Sequence, residues 1–304
     1  MSNAAQALAL VFPGQGSQQP GMATAWRDSG GFGRWAQADQ VLGWDVSRLG
    51  TQAHEEELRQ PLNCQIALFV HHVVLLDAWT AAHPDADVVL TAGHSLGEYN
   101  ALVAADVLPF DDALRLVDVR ARATQAAADE MPGTMIAALG FEVEEVTAAC
   151  DRAGAHVAND NAVGQITVSG TPAQLQAVKD ILAQGKGKVR DIGVGAAYHS
   201  PHMAGALQPL GEALDDAPFT LARIPVVANV DATAHTAAQD WPDLLRRQVV
   251  NPVRWRQSVL AMRDSGVTDV VELGATAPLS AMIKRIDRSL GRMSITTPEE
   301  LDQP

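Results

Sequence analysis

The chain opens on a short apolar run, Ala7 to Phe12, cut by Pro13-Gly14. That pattern predicts a buried strand running into a tight turn, which Gln15-Gly16-Ser17-Gln18 continues. Helical periodicity covers Gly31 to Leu42. It returns over Gln65 to Trp79, where Ile66, Phe69, Val70, Val73 and Val74 recur at helical spacing. Val88 to Ala92 reads as a compact apolar strand. It leads through Gly93-His94-Ser95-Leu96-Gly97 into an alanine-rich helix ending near Ala105. Pro109 closes that region. Asp111 and Asp112 suit the first turn of the next helix, where carboxylates favour the helix dipole.

The middle of the chain has a different order. Met135 to Gly140 reads as a strand and Val143 to Ala153 as a helix. His156 to Asn159 and Gln165 to Ser169 read as two strands. Thr171 to Gln184 is a helix with Thr171 as N-cap and Pro172 at its first position. Lys188 to Val194 closes the unit as a strand, so the order is β-α-β-β-α-β, the ferredoxin-like signature. Beyond it the pattern gives a strand over Pro225 to Val230 and helices over Trp241 to Val249 and Trp255 to Ser265. A strand over Asp269 to Gly274 and a helix over Pro278 to Leu290 follow. The expected fold is therefore α/β: a large α/β-hydrolase-like domain made of residues 1–130 and 196–304, interrupted by a small ferredoxin-like α+β domain over 131–195. The acidic tail from Pro298 is expected to fray.

Composition narrows the function classes. The 304 residues, at ~150 per domain, suit about two domains. Apolar residues make up 47% and charged residues 19%, which argues for a packed core and against disorder. The formal charge of -14 argues against a nucleic-acid partner, because neutralising phosphates needs a basic surface. Cys64 and Cys150 are too few for a disulfide framework and lack metal-ligand spacing. The longest apolar stretch, Ile66 to Leu76, is short for a membrane span and contains His71 and His72. No positive segment precedes Leu8 to Val11, so no signal peptide is expected. A cytoplasmic protein with no membrane partner is the expectation.

Three chemical signals stand out. The first is Gly93-His94-Ser95-Leu96-Gly97, a G-x-S-x-G between a strand and a helix, the context in which a sharp turn projects a nucleophilic serine. The helix N-terminus beside Ser95 favours an oxyanion. Ser95 then needs a base. His71 and His72 sit in an apolar helix, His54, His83, His156 and His235 lie in polar or loop contexts, and His94 points elsewhere along the turn. His199, in a loop after a strand, is the best placed, although spacing alone does not separate it from an idle loop histidine. His199 and His202 lack a third ligand for a metal, so none is expected. The third signal is Arg120. Ala113, Leu116, Val117 and Thr124 share one helical face, and Arg120 lies on it, whereas Arg115, Asp118 and Arg122 lie on another. A buried guanidinium needs a partner. That partner is either a protein carboxylate or one brought by a substrate, and the spacing does not decide between them.

Together these pieces resemble the malonyl-CoA:acyl-carrier-protein acyltransferase family, most closely the free-standing enzymes that serve polyketide synthases in trans. The matching residues are Phe12 to Gln18, Gly93 to Leu102, Arg120, Asn161 with Gly164-Gln165, His199-Ser200, and Gln248 within Arg247 to Trp255. The resemblance implies Ser95 as the acylated nucleophile and His199 as its base, oriented by the main-chain carbonyl of Gln248. It implies an oxyanion hole from the N–H groups of Gln15 and Leu96. Arg120 is implied to grip the malonyl carboxylate, with Gln65, Asn161 and Tyr198 around the substrate. Ile66 stands where the family has proline after Gln65. Malonyl-CoA is the implied donor substrate, with no bound cofactor.

The implied acceptor is an acidic, phosphopantetheinylated acyl carrier protein, and the implied state is a monomer. Docking on so acidic a chain needs a local basic rim. Lys186, Lys188, Arg190, Arg246, Arg247, Arg254 and Arg256 are candidates, of which Lys188 and Arg190 lie nearest His199 in sequence. Competing readings are a proofreading acyl hydrolase, the malonyl-loading subunit of a malonate decarboxylase, and a scaffold with a vestigial site. Tyr198 replaces the phenylalanine of the common malonyl form, so a substituted malonyl extender stays open.

Overall fold

The computed structural model describes residues 6–27 and 32–302. Gly31, the expected start of the first helix, lies outside them, and the helix itself spans Phe32–Leu42. The strands are β1 (Leu8–Phe12), β2 (Val88–Gly93), β3 (Thr134–Leu139), β4 (His156–Ala162), β5 (Gln165–Gly170), β6 (Lys188–Asp191), β7 (Val226–Val227), β8 (Ala234–His235), β9 (Asp269–Leu273) and β10 (Gly291–Ile295). Among the described residues they form two sheets. One has the order β10-β9-β1-β2-β7-β8, parallel except for the β7–β8 pair, and the other is the antiparallel β4-β5-β3-β6.

The apolar run at the start of the chain is the centre of the larger sheet. Its residues alternate between two cores: Leu10 and Phe12 face one, Ala9 and Val11 the other. Both faces are covered, as a parallel sheet requires. The smaller sheet has a core of its own, in which Ile136, Ala138, Ile166 and Val168 pack against Val146 and Leu175 of the helices Val143–Ala153 and Pro172–Leu182. The second of these helices starts at the expected cap. Thr171 accepts from the Gln174 N–H at 3.3 Å while Gln174 reaches back to the Thr171 N–H at 2.8 Å. The two sheets are tied together by backbone bonds between Val253 and the Ala158–Asp160 segment and by the Arg256–Asp160 ion pair at 2.8 Å.

Several expectations need correction. The apolar stretch from Gln65 extends to a helix over Pro61–Ala82, whose length and composition do suffice to cross a membrane. It is apolar on all sides because it is packed on all sides, with every residue from Cys64 to Leu76 buried. The strand expected over Pro225 to Val230 pairs only at Val226–Val227, because Ala228 turns back onto Thr233. The strand expected to reach Val194 ends at Asp191. The helix expected to reach Leu290 stops at Ile286, and the chain then forms the unexpected strand β10. A helix over Leu207–Asp216 also went unread. The tail does not fray at Pro298. It forms a short helical turn over Pro298–Asp302, and the Glu300 carboxylate accepts from the Thr296 and Thr297 N–H groups at 2.6 and 3.1 Å.

Candidate active site

β1 and β2 run side by side and end together at Phe12 and Gly93, so the loops that follow converge at the carboxyl end of the sheet. There the chain makes the turn His94-Ser95-Leu96 and enters the helix Gly97–Ala104. The turn is tight. A Cβ on Gly93 would stand 1.9 Å from the Gly97 carbonyl group, and one on Gly97 would stand 2.1 Å from the Phe12 oxygen. Only glycine fits at either position. Ser95 itself has φ of +53°, a left-handed conformation that costs ~1–3 kcal/mol in a non-glycine residue. Its backbone is held on both sides. The Ser95 N–H donates to Asn229 Oδ1 at 2.7 Å, and the Ser95 carbonyl accepts from Gln248 Nε2 at 2.9 Å.

The structure brings His199 to this serine, with its Nε2 2.7 Å from Ser95 Oγ. The other ring nitrogen, Nδ1, is 2.8 Å from the main-chain oxygen of Gln248. A carbonyl only accepts, so Nδ1 carries the proton and Nε2 presents a lone pair to the hydroxyl. Burial, and then the Arg120 charge, push the His199 imidazole down to about 3, so it is neutral at ordinary pH. His199 too has a left-handed backbone, φ +54°.

Arg120 is 2% exposed and faces the same hydroxyl. Its Nη2 donates to Ser95 Oγ at 3.1 Å and to Gln248 Oε1 at 3.2 Å, and its Nη1 donates to Gln65 Oε1. Nε has no partner among the described residues. No carboxylate there forms an ion pair with this guanidinium. Of the two partners left open by the helical spacing, the protein carboxylate is therefore absent. Of the outward neighbours, Arg122 pairs with Asp118, and Arg115 pairs with Asp112 one turn back rather than with Asp118.

The serine, His199 and Tyr198 open onto a cleft of about 620 Å³ between the two sheets, lined also by Gln15, Asn161, Gln165 and Met282. The backbone N–H groups of Gln15 and Leu96 donate to no acceptor among the described residues. The Tyr198 hydroxyl is buried beside the Gln15 side chain. Asn161 does more than line the cleft: its Oδ1 accepts from His94 Nε2 at 2.8 Å, and its Nδ2 donates to Thr167 Oγ1 at 3.1 Å. Gln65 lies behind the guanidinium, fully buried, and touches Arg120 rather than the cleft.

Lys188 and Arg190 are exposed and carry no ion pair among the described residues. They pair with Leu139 and Ala137, and directly opposed residues share a sheet face, so they project from the face that Ala137 gives to the cleft. Three other basic candidates are already paired: Arg246 with Asp215, Arg247 with Asp243 and Arg256 with Asp160.

The chain matches the acyl transferase domain over residues 9–297. It belongs to the acyl transferase family. The malonyl CoA-acyl carrier protein transacylase of Haemophilus influenzae is 33% identical over 296 residues, which is 94% of each chain. That of Escherichia coli is 34% identical over 300 residues, 96% of this chain and 97% of the relative. Among solved structures, the malonyl CoA-acyl carrier protein transacylase of Coxiella burnetii superposes with a TM-score of 0.94 at 31% identity, over 98% of this chain and 96% of that one. A malonyl-transacylase in complex with a type II polyketide-synthase acyl carrier protein superposes with a TM-score of 0.93 at 32% identity, over 97% of both chains.

The sequence reading missed two members of this acyl transferase site. Asn229 clamps the turn, its Nδ2 donating to the Gly93 carbonyl at 2.6 Å. A polar residue closing the apolar run Pro225 to Val230 was the available signal. Glu98 is completely buried behind the serine, and burial raises its carboxyl to about 7. The motif contains it, but nothing in its local pattern sets it apart.

Proposed function

We propose that this acyl transferase moves a malonyl group from CoA to the phosphopantetheine thiol of an acyl carrier protein, through an ester on Ser95. The observation that carries this reading is the buried Arg120 guanidinium, without a carboxylate of its own and 3.1 Å from Ser95 Oγ. Seating a carboxylate there gives the guanidinium the ion-pair partner that no carboxylate among the described residues supplies. A malonyl thioester places that carboxylate two carbons from the carbonyl under attack.

In the first half-reaction Ser95 Oγ attacks the thioester carbon and His199 Nε2 takes its proton. The Gln15 and Leu96 N–H groups meet the developing oxyanion, and losing one such donor typically costs ~3 kcal/mol. The C–S bond breaks, His199 gives its proton to the departing sulfur, and CoA leaves as the thiol. In the second half the carrier thiol gives its proton to His199 and attacks the ester, and Ser95 Oγ leaves and is reprotonated. Burial, and then the Arg120 charge, make His199 a weak base. A substrate carboxylate on Arg120 offsets that charge and strengthens the base. Tyr198 and Asn161 bound the acyl group, and Gln65 steadies the guanidinium. Residues 131–195 act as a small domain closing over the cleft of a monomer. Lys188 and Arg190 on its rim meet the acidic carrier.

Incubation with malonyl-CoA, with and without a holo carrier protein, tests the reading by mass spectrometry. The expected result is a malonyl adduct on Ser95 that persists in water and is discharged onto the carrier. Free malonate at the same rate with and without carrier makes the protein a hydrolase instead. No adduct on Ser95 overturns both.

A further inference from the structure

We propose that Glu98 is a positioning residue that holds the nucleophile and the carboxylate-binding cation in register through the amides of Gln248 and Asn229, an inference that rests on the transacylase reading above. Glu98 lies three residues beyond Ser95 on the helix Gly97–Ala104 and is 1% exposed. One carboxylate oxygen, Oε1, accepts from the Asn229 N–H at 2.9 Å, and the other accepts from Gln248 Nε2. Asn229 in turn holds the Ser95 N–H and the Gly93 carbonyl. Gln248 is shared more widely. Its Nε2 also donates to the Ser95 carbonyl, its Oε1 accepts from Arg120, and its main-chain oxygen accepts from His199 Nδ1–H.

The orientation of the Gln248 amide is the point of control. A carboxylate only accepts, so it draws the NH₂ end of that amide toward itself and leaves Oε1 facing Arg120. A hydroxyl or an amide at position 98 presents a donor instead. The Gln248 Nε2 then meets a donor on one side and keeps only the Ser95 carbonyl on the other, so the amide is no longer drawn toward position 98 and swings off, taking Oε1 out of line with Arg120. Arg120 then loses a fixed acceptor and drifts from the place where it meets a carboxylate, while the contact of Ser95 Oγ with His199 Nε2, which Glu98 does not touch, remains. A substrate without a carboxylate is affected less. The charged and titratable groups that face Glu98 are Arg120, which favours its ionised form, and Asp231, which opposes it; Tyr99 adjoins it on its own helix. Burial dominates and sets its titration near 7, inside the working range. His199 stays neutral down to about 3 and adds no limb there.

The test measures kcat/KM for Ser95 acylation by malonyl-CoA and by acetyl-CoA, from about pH 5.5 to about 8.5, in the wild type and in Glu98→Gln. In the wild type the malonyl-to-acetyl ratio is expected to fall as pH drops below about 7. Glu98→Gln is expected to show a low ratio at every pH, with malonyl-CoA losing about 100-fold and acetyl-CoA clearly less. Equal losses on both substrates, or a wild-type ratio that does not change with pH, overturn the proposal. If Glu98→Gln fails to fold by circular dichroism, Glu98→Asp, which keeps a carboxylate on a shorter arm, takes its place, and equal losses on both substrates overturn the proposal in the same way. Absence of any acyl-Ser95 in the wild type refutes the transacylase reading itself, and the proposal with it. Acylation with a pH-independent ratio refutes only the role of Glu98.

Discussion

Replacing Arg120 by alanine separates a substrate clamp from a structural cation. Arg120 offers two parallel N–H donors to a bound carboxylate, and a hydrogen bond to a charged group contributes about 1.5–3 kcal/mol. Two such bonds set an upper range of about 3–6 kcal/mol. The free enzyme reduces this figure, because the guanidinium already donates to Gln65, Gln248 and Ser95. Seating the substrate exchanges some of those contacts rather than adding to them. The low end, about 3 kcal/mol, corresponds to a loss of roughly 150-fold in kcat/KM for malonyl-CoA. Acetyl-CoA has no carboxylate to lose. For it, Arg120→Ala leaves the burial of His199 in place but removes the cation that depresses it further, and so strengthens the base. Acetylation of Ser95 is expected to hold or to rise.

The assay is single-turnover acylation of Ser95 with each thioester, read as the ratio of the two kcat/KM values. A fall in that ratio of about two orders of magnitude is the expected outcome. Equal loss on both thioesters would mean that Arg120 only holds Gln65 and Gln248 in place, and would refute the clamp. Arg120→Lys provides the control for charge without the planar fork. It is expected to fall between the wild type and Arg120→Ala, because an ammonium cannot reproduce the paired geometry.

Two further predictions concern the rim and the core. Charge reversal at Lys188 and Arg190 together is expected to slow transfer to the carrier protein while leaving Ser95 acylation by malonyl-CoA unchanged. A double variant that transfers at the wild-type rate removes these residues from docking. His71 is buried in the Pro61–Ala82 helix with neither ring nitrogen hydrogen-bonded among the described residues, and burial first, then His72, lowers its imidazole to about 3. Between that value and its unfolded value the unfolded chain binds the extra proton, so His71 makes the protein less stable as pH falls. The loss reaches about 2 kcal/mol at pH ~5. Thermal melts of His71→Leu should therefore show a larger gain in Tm over the wild type at pH ~5 than at pH ~8. An equal gain at both would show that His71 is not buried neutral.

The parts of this molecule that were legible in the sequence are those written within one or two turns of chain. The apolar strand, the glycine-flanked turn and the following helix name Ser95, because the close approach of Gly97 to Phe12 admits no other residue there. Thr171-Pro172 names a helix start for a similar local reason. What was not legible depends on pairings far apart in sequence. The short strand β7 ends where Asn229 leaves the sheet to hold Ser95, 134 residues away, and no periodicity records that. Strand β10 is an edge strand with one fully buried residue, Ile295, so its alternation is too weak to read.

Arg120 and Glu98 show the difference within one site. Both are buried charges near the same serine. Arg120 was legible because its helix, Phe110–Glu130, has an outward face carrying the exposed Arg115 and Arg122 with the half-buried Asp118, against which an inward arginine is an anomaly. Glu98 sits on a helix with every residue buried except the half-buried Val103, so there is no polar face for it to be missing from. A charge in such a helix reads as one polar letter in an alanine-rich run. Its meaning depends on which way the amide of Gln248 points, 150 residues later. Substitutions at Glu98 should therefore have effects that Gln248 relays. Gln248→Glu probes the same relay from its middle, because it sets a carboxylate against both Glu98 and Arg120 and gives the guanidinium a protein partner. It is expected to depress malonyl transfer more than acetyl transfer, and to do so more strongly as pH rises and both carboxyls ionise. A malonyl-to-acetyl ratio for Gln248→Glu that improves with rising pH would break the link between the two residues.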